Sequence, residues 1–244
     1  MKISIHDTKE ELGKAAARKG AALIRQAIDK NGKASIIVAT GASQFEMLEE
    51  LTRDFVDWSR VTAFHLDEYI GLPVTHPASF RKYLKERFVD LVSPAAFHYI
   101  DGEADPEKEC ARLGELISQH PVDVAFIGIG ENAHLAFNDP PADLQTEDPY
   151  IMVTLDRDCR QQQFGEGWFP SIDDVPETAI SMSVNQIMKS GSIICAVPDK
   201  RKARAVKNAL ENGISPDYPA SVLKSHHQAY LYLDRESASL LKRI

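Results

Sequence analysis

Short apolar runs alternate along this chain with longer stretches whose apolar residues recur on one helical face. Lys2 to His6 alternates as a strand does. Thr8-Lys9-Glu10-Glu11 has capping-box spacing, so a helix should begin there, run to about Lys30 and stop at Gly32. Leu12, Ala16, Leu23, Ala27 and Ile28 give it one apolar face. Ser35 to Ala39 reads as a buried strand, Thr40 to Ser43 as a turn, and Phe45, Met47, Leu48 and Leu51 mark a second helix. Val61 to Leu66 predicts a strand ending at Asp67, Phe80 to Val89 a helix, and Phe97 to Ile100 a strand. Asp105-Pro106-Glu107 opens a further helix with an acidic N-cap and proline at the first helical position.

Val122 to Ile127 is an apolar run of buried-strand length, and beyond residue 140 the pattern loosens. Ile151 to Leu155 predicts a strand, and Arg160 to Phe169 a polar loop punctuated by Gly165 and Gly167. Thr178 to Ser183 and Ser192 to Val197 predict strands, Asp199 to Glu211 a helix stopped at Gly213, and Ala229 to Leu233 a last strand before a terminal helix. Strands alternating with helices imply an α/β fold with a mostly parallel, doubly wound, Rossmann-like sheet and helices on both faces. With no internal repeat or low-complexity linker, residues 1–244 read as one domain.

Composition narrows the function. At 244 residues and 43% hydrophobic content, the chain can bury a sizeable core. A net charge of −8 argues against nucleic acid, whose phosphate backbone needs clustered Lys and Arg. A small phosphorylated ligand needs only a few local donors and stays open. Cys110, Cys159 and Cys195 are widely spaced, without metal-type pairing, and fit reduced thiols. His226-His227 lacks partners at ligand spacing and reads as a solvent-facing pair. No signal peptide or membrane-length apolar run is visible, so a cytoplasmic protein with no membrane association is expected.

Candidate chemistry gathers where strands end. Gly128-Ile129-Gly130-Glu131-Asn132-Ala133-His134-Leu135-Ala136-Phe137-Asn138-Asp139-Pro140 leaves a strand through two glycines and offers Asn132, His134, Asn138 and Asp139. In open α/β sheets ligands sit beyond the strands' carboxyl ends; a polar loop with a solvated histidine is the competing reading. Asp67 and Glu68 close an apolar strand, as solvated acids or as a carboxylate kept for proton transfer. Thr40, Gly41, Ala42 and Ser43 stand at a strand-to-helix junction suited to an anion. Lys200-Arg201-Lys202 opens a later helix.

Together these blocks resemble the glucosamine-6-phosphate deaminases. The histidine loop, the His65-Leu66-Asp67-Glu68-Tyr69-Ile70-Gly71-Leu72-Pro73 block with His76-Pro77-Ala78-Ser79-Phe80, the Thr40–Ser43 turn and the Lys200-Arg201-Lys202-Ala203 start follow in the family's order from about residue 35 to 205. The resemblance implies that Asp67 moves a proton between C2 and C1 of an open-chain sugar and that His134 opens the ring. It further implies that Thr40, Gly41, Ala42, Ser43 and Lys202 hold phosphate, with Arg160 the nearest candidate for the family's loop arginine. Two departures touch the histidine. Asn132 stands where the family has an aspartate and Asp139 where it has a glutamate, while Ala133 replaces the usual glycine. On this reading Asn132 accepts from the imidazole without lending charge, and Asn132→Asp should raise turnover on the cyclic sugar. Gln161 to Phe169 could serve as a lid, with Trp168 excluding water. The resemblance implies glucosamine 6-phosphate plus water giving fructose 6-phosphate and ammonia, with no metal or organic cofactor. A 6-phosphogluconolactonase and a non-catalytic sugar-phosphate-binding protein are the alternatives. The expected partner is a small sugar phosphate, and a homo-oligomer stays open.

Overall fold

The computed structural model describes residues 1–242. β1 (Lys2–His6) leads into α1 (Lys9–Asn31). Thr8 caps this helix by accepting from the Glu11 amide, Glu11 reaches back to the Asp7 amide at 3.2 Å, and Gly32 ends it at φ 76°. There follow β2 (Ala34–Val38), α2 (Phe45–Arg53), β3 (Val61–His65) and the short β4 (Asp67–Tyr69). One helical run then comprises α3 (Phe80–Leu84), a π-helical stretch (Lys85–Val89) and α4 (Asp90–Val92). β5 (Ala96–His98), α5 (Pro106–Ser118) and β6 (Val124–Ile127) complete the first half. The second half holds β7 (Tyr150–Thr154), α6 (Arg157–Gly165), β8 (Thr178–Met182), α7 (Val184–Met188), β9 (Ser192–Val197), α8 (Ala203–Glu211) and β10 (Ala229–Asp234).

Seven strands form a parallel sheet in the order β1-β10-β9-β6-β2-β3-β5. Side chains alternate between its faces: Ile36 and Val38 of β2 pack with Leu12, Ile24 and Leu48 of α1 and α2, while Ile37 joins Leu113, Ile117 and Val206 of α5 and α8. Helices therefore cover both faces, and the doubly wound expectation holds. From β2 the chain winds outward to β3 and β5, then returns to β6 and proceeds the other way. The crevice between the carboxyl ends of β2 and β6 is thus the switch point where such sheets bind ligands. No described helix is long and apolar enough to cross a membrane.

Four expectations are corrected. The strand expected to end at Asp67 is broken at Leu66, whose carbonyl accepts from Met182 N at 2.6 Å. Asp67–Tyr69 leaves the main sheet and pairs antiparallel with β8 in a second sheet, β4-β8-β7. Much of the expected loop over Arg160–Phe169 is helical: α6 is capped by Asp156, which accepts from Cys159 N at 2.6 Å. After β10, residues 235–240 form turns in place of a terminal helix. There Asp234 and Ser237 bond reciprocally, Ser237 N to Asp234 Oδ1 at 2.7 Å and Asp234 N to Ser237 Oγ at 3.1 Å, a local pattern that competes with helix. Finally, His226 is buried, its Nε2 2.8 Å from the Ser190 carbonyl, and only His227 faces solvent.

Candidate active site

The loops after β2 and β6 meet at the switch point. After β2, Gly41 adopts φ 92° and a short 3-10 turn spans Ala42–Gln44. Gln44, fully buried, donates to Ser43 Oγ at 3.1 Å and to the Ala196 carbonyl of β9 at 3.2 Å, which pins the turn across the sheet. Across from it, a Cβ on Gly128 would come within 2.9 Å of Gln44 Nε2. Glycine is what lets the two loops approach.

The histidine loop is fastened from below. Asn138 donates to the carbonyls of Leu135 (2.7 Å) and Met182 (2.8 Å), and Phe137 N donates to Ser181 Oγ at 3.0 Å. Ala133 and Ala136 take φ 73° and 50°, so the backbone conformation that suits glycine is kept at Ala133 without the glycine. The His134 ring lies over Gly130, where a Cβ would meet Nε2 at 2.1 Å. His134 Nδ1 faces Asp139 Oδ1 at 2.9 Å. A carboxylate only accepts, so Nδ1 carries the proton and Nε2 is the nitrogen left for a ligand. Asp139 also accepts from Asn132 Nδ2 (3.1 Å) and from Asp156 N (3.1 Å). Burial alone would raise its pKa, but these donors, His134 foremost, hold it below the usual carboxylate range.

Asn132 is therefore not the imidazole's partner. Its Oδ1 accepts from the His134 amide at 3.1 Å, while its Nδ2 points at two carboxylates, Asp139 and, at 3.4 Å, Asp156. The shorter arm of Asp139 reaches the ring by itself.

Asp67 projects into the same space. It is buried, its Oδ1 has no hydrogen-bond partner, and burial pushes its pKa up to about 8, with the nearby Glu68 and Glu166 charges adding to the shift. The nearby Thr40 hydroxyl opposes the shift. Glu68 turns away and is consumed structurally: it accepts from Ser79 Oγ (2.9 Å) and from the amides of Tyr69, Phe80 and Arg81 at the start of α3. Lys202, buried just before α8, reaches the cavity from the β9 side, and desolvation lowers its pKa.

One cavity of about 60 Å³ is lined by Thr40, Gly41, Ser43, Asp67, His134 and Lys202. Ala42 stands one residue behind its wall. Arg160 does not reach it: the guanidinium donates to the Ile172 carbonyl at 3.0 Å and pairs with Glu177 at 3.4 Å. The arginine expectation is corrected, because a helix in place of a loop turns position 160 toward the segment before β8. Trp168 does not line the cavity either. What α6 brings is Gln162, Gln163 and, just past its end, Glu166. Gln162 accepts from Glu131 N at 2.8 Å and Gln163 from Tyr69 OH at 2.9 Å. The signal for them was Asp156 as an N-cap, followed by Cys159, Gln163 and Glu166 at helical spacing.

His134, Asp139 and Cys159 place ligand-type atoms within 4.8 Å of one another. A metal would need a thiolate there. Burial and the Asp139 charge push the Cys159 thiol far up, and the His134 Nδ1–Asp139 hydrogen bond already joins two of these three groups.

An anion-type turn and a buried lysine set against a buried carboxylate and a histidine–aspartate pair define an acid–base site for a small anionic ligand. The family described as glucosamine-6-phosphate isomerases/6-phosphogluconolactonase matches residues 7–232, and the chain belongs to that family. It is 32% identical to a glucosamine-6-phosphate deaminase of Lactobacillus delbrueckii subsp. bulgaricus, over 99% of this chain and 100% of that one. With the Lacticaseibacillus paracasei deaminase the identity is 34% over the whole of both chains. A solved structure of a monomeric glucosamine-6-phosphate deaminase superposes with a TM-score of 0.90 at 34% identity, covering 99% of this chain and 100% of that one. A 6-phosphogluconolactonase from Shewanella baltica shares the fold, with a TM-score of 0.79 at 20% identity over 96% and 97% of the two chains.

Proposed function

We propose that the chain is a glucosamine-6-phosphate deaminase, converting glucosamine 6-phosphate and water to fructose 6-phosphate and ammonia. The observation that carries the residue roles is Asp67: a buried carboxylate with an unpartnered oxygen and a pKa near 8, in one cavity with His134 and Lys202. Such a group suits a base that takes a proton from carbon beside a carbonyl. His134, held by Asp139 through Nδ1, takes the C1 hydroxyl proton on Nε2 and passes it to the ring oxygen as the C1–O5 bond breaks, which opens the pyranose to the aldehyde. Asp67 then carries the C2 proton to C1, and water adds to the resulting imine to release ammonia. Lys202 and the Thr40–Ser43 turn hold the phosphate. Full-length relatives at 32–34% identity carry the deaminase name, which favours this reading over lactone hydrolysis. The solved relative is described as monomeric, which favours a monomer here, and sedimentation at the mass of one chain is expected.

Ammonia release from glucosamine 6-phosphate, measured beside hydrolysis of 6-phosphogluconolactone, tests the function. Asp67→Asn tests the base. Exchange of the C2 hydrogen into deuterated water should fall ~10²–10⁴-fold in the variant while phosphate binding persists. Exchange at the parent rate would remove Asp67 from the mechanism.

A further inference from the structure

The anion cradle already faces an anion of the protein's own. Glu166 stands between Gly165 and Gly167, at the point where α6 ends and Gly167 turns the chain at φ 85°. Both of its carboxylate oxygens lie 3.9 Å from where a Cβ on Gly41 would sit. Gly41, Ser43, Lys202 and Glu166 line one wall-to-wall space, and the whole cavity measures only about 60 Å³. Sites for small organic ligands are typically ~300 Å³ or more. A sugar phosphate seated on the Gly41–Ser43 turn would therefore meet the Glu166 carboxylate. The Thr40–Ser43 turn is fixed to β9 through Gln44, and the histidine loop is fastened to β8 and the strand's end, whereas Glu166 is half-buried and flanked by two glycines that contact nothing at their Cβ positions.

We propose that Glu166 competes with the substrate's phosphate for the cradle between Gly41 and Lys202, and that the last turn of α6 must yield before a sugar phosphate binds. The proposal rests on the sugar-phosphate reading of this cavity. Two anions cannot share one lysine and one turn at contact distance without a large repulsion. Glu166 thus sets a threshold: a ligand whose phosphate is fully charged displaces it, and a neutral sugar does not. Its carboxylate also lies close enough to bias both Asp67 and Lys202 toward their protonated forms.

The test uses the full chain and Glu166→Gln, with inorganic phosphate as the probe. Trp168, two residues on and 36% exposed, reports the segment by its fluorescence, whereas Trp58 is buried at 8%. Phosphate should bind about tenfold or more tightly to E166Q than to the parent, and should inhibit ammonia release correspondingly better. The KM for glucosamine 6-phosphate should fall with it. Lys202→Ala should weaken phosphate binding in both backgrounds. Unchanged or weaker phosphate binding by E166Q overturns the proposal. So does a rise in KM for the amino sugar with phosphate affinity unmoved, since Glu166 would then be reading the substrate's ammonium. If the parent releases no ammonia but E166Q still tightens phosphate, the competition stands and the deaminase reading falls.

Discussion

At the scale of single residues, the hydrogen-bond direction at Asn132 decides more than its lack of charge. The side-chain amide presents Nδ2 to Asp139 at 3.1 Å and to Asp156 at 3.4 Å, and it is the group that lets two carboxylates approach the same point. An aspartate there would withdraw the donor and add a third negative charge. The sequence-based expectation that Asn132→Asp raises turnover is therefore reversed. Losing a hydrogen bond to a charged group costs about 1.5–3 kcal/mol, so turnover on the cyclic substrate should fall roughly 10–100-fold. Steady-state ammonia release by the folded variant checks this, and any increase would mean that Asp139 does not orient His134 unaided. Motif comparison could locate position 132 but not its orientation, because one residue's role depended on two carboxylates 7 and 24 residues away.

Elements were legible where their causes are local. The Thr8 cap with the Gly32 stop, and the Asp105 cap followed by Pro106, are written within four or five residues and mark α1 and α5 as expected. α6 was not legible because it has no apolar stripe: only Cys159 and Gln163 are buried, and its attachments are polar. β4 was missed because its separation from β3 is made by a distant partner, β8. Close approach between helices is equally silent in the pattern. Gly13 of α1 lies against α2, where a Cβ would sit 2.7 Å from Glu46 Cβ and 2.8 Å from the Glu46 carbonyl carbon. That backbone cannot give way as a flexible side chain would. Gly13→Ala should destabilise the fold by about 1–3 kcal/mol, as overpacking does, despite alanine's better helix propensity. Because α2 follows directly on the Thr40–Ser43 turn, the KM for sugar phosphate should rise as well. Urea denaturation and steady-state kinetics on one preparation would read both effects.

For the whole molecule, the site's charges leave a mark on stability that can be signed. Asp67 is buried, and its pKa stands near 8 in the fold against 3.8 as the ordinary value. The folded state therefore binds this proton more tightly than the unfolded chain, so the contribution is fullest below pH 3.8 and is lost as pH rises toward 8. Burial and the Arg81 charge act on His65 in the opposite direction, lowering it from 6.5 to about 3. Its contribution is present above pH 6.5 and is lost as pH falls through 3. The two oppose each other in the acid range, but between pH 6.5 and 8 Asp67 acts without His65. Glu68, also raised by burial, leans the same way as Asp67. Each unit of pKa displacement is worth about 1.4 kcal/mol, so Asp67 on its own should cost the fold about 1–2 kcal/mol between pH 6.5 and 8. Asp67→Asn has no such proton to release. Its stability should fall less over the same interval, and at pH 8 it should exceed the parent's, an inactive protein more stable than the active one. Denaturation curves for both proteins at the two pH values measure the difference. A variant less stable than the parent at pH 8 would mean that the buried carboxylate is better solvated than its burial and unpartnered oxygen imply.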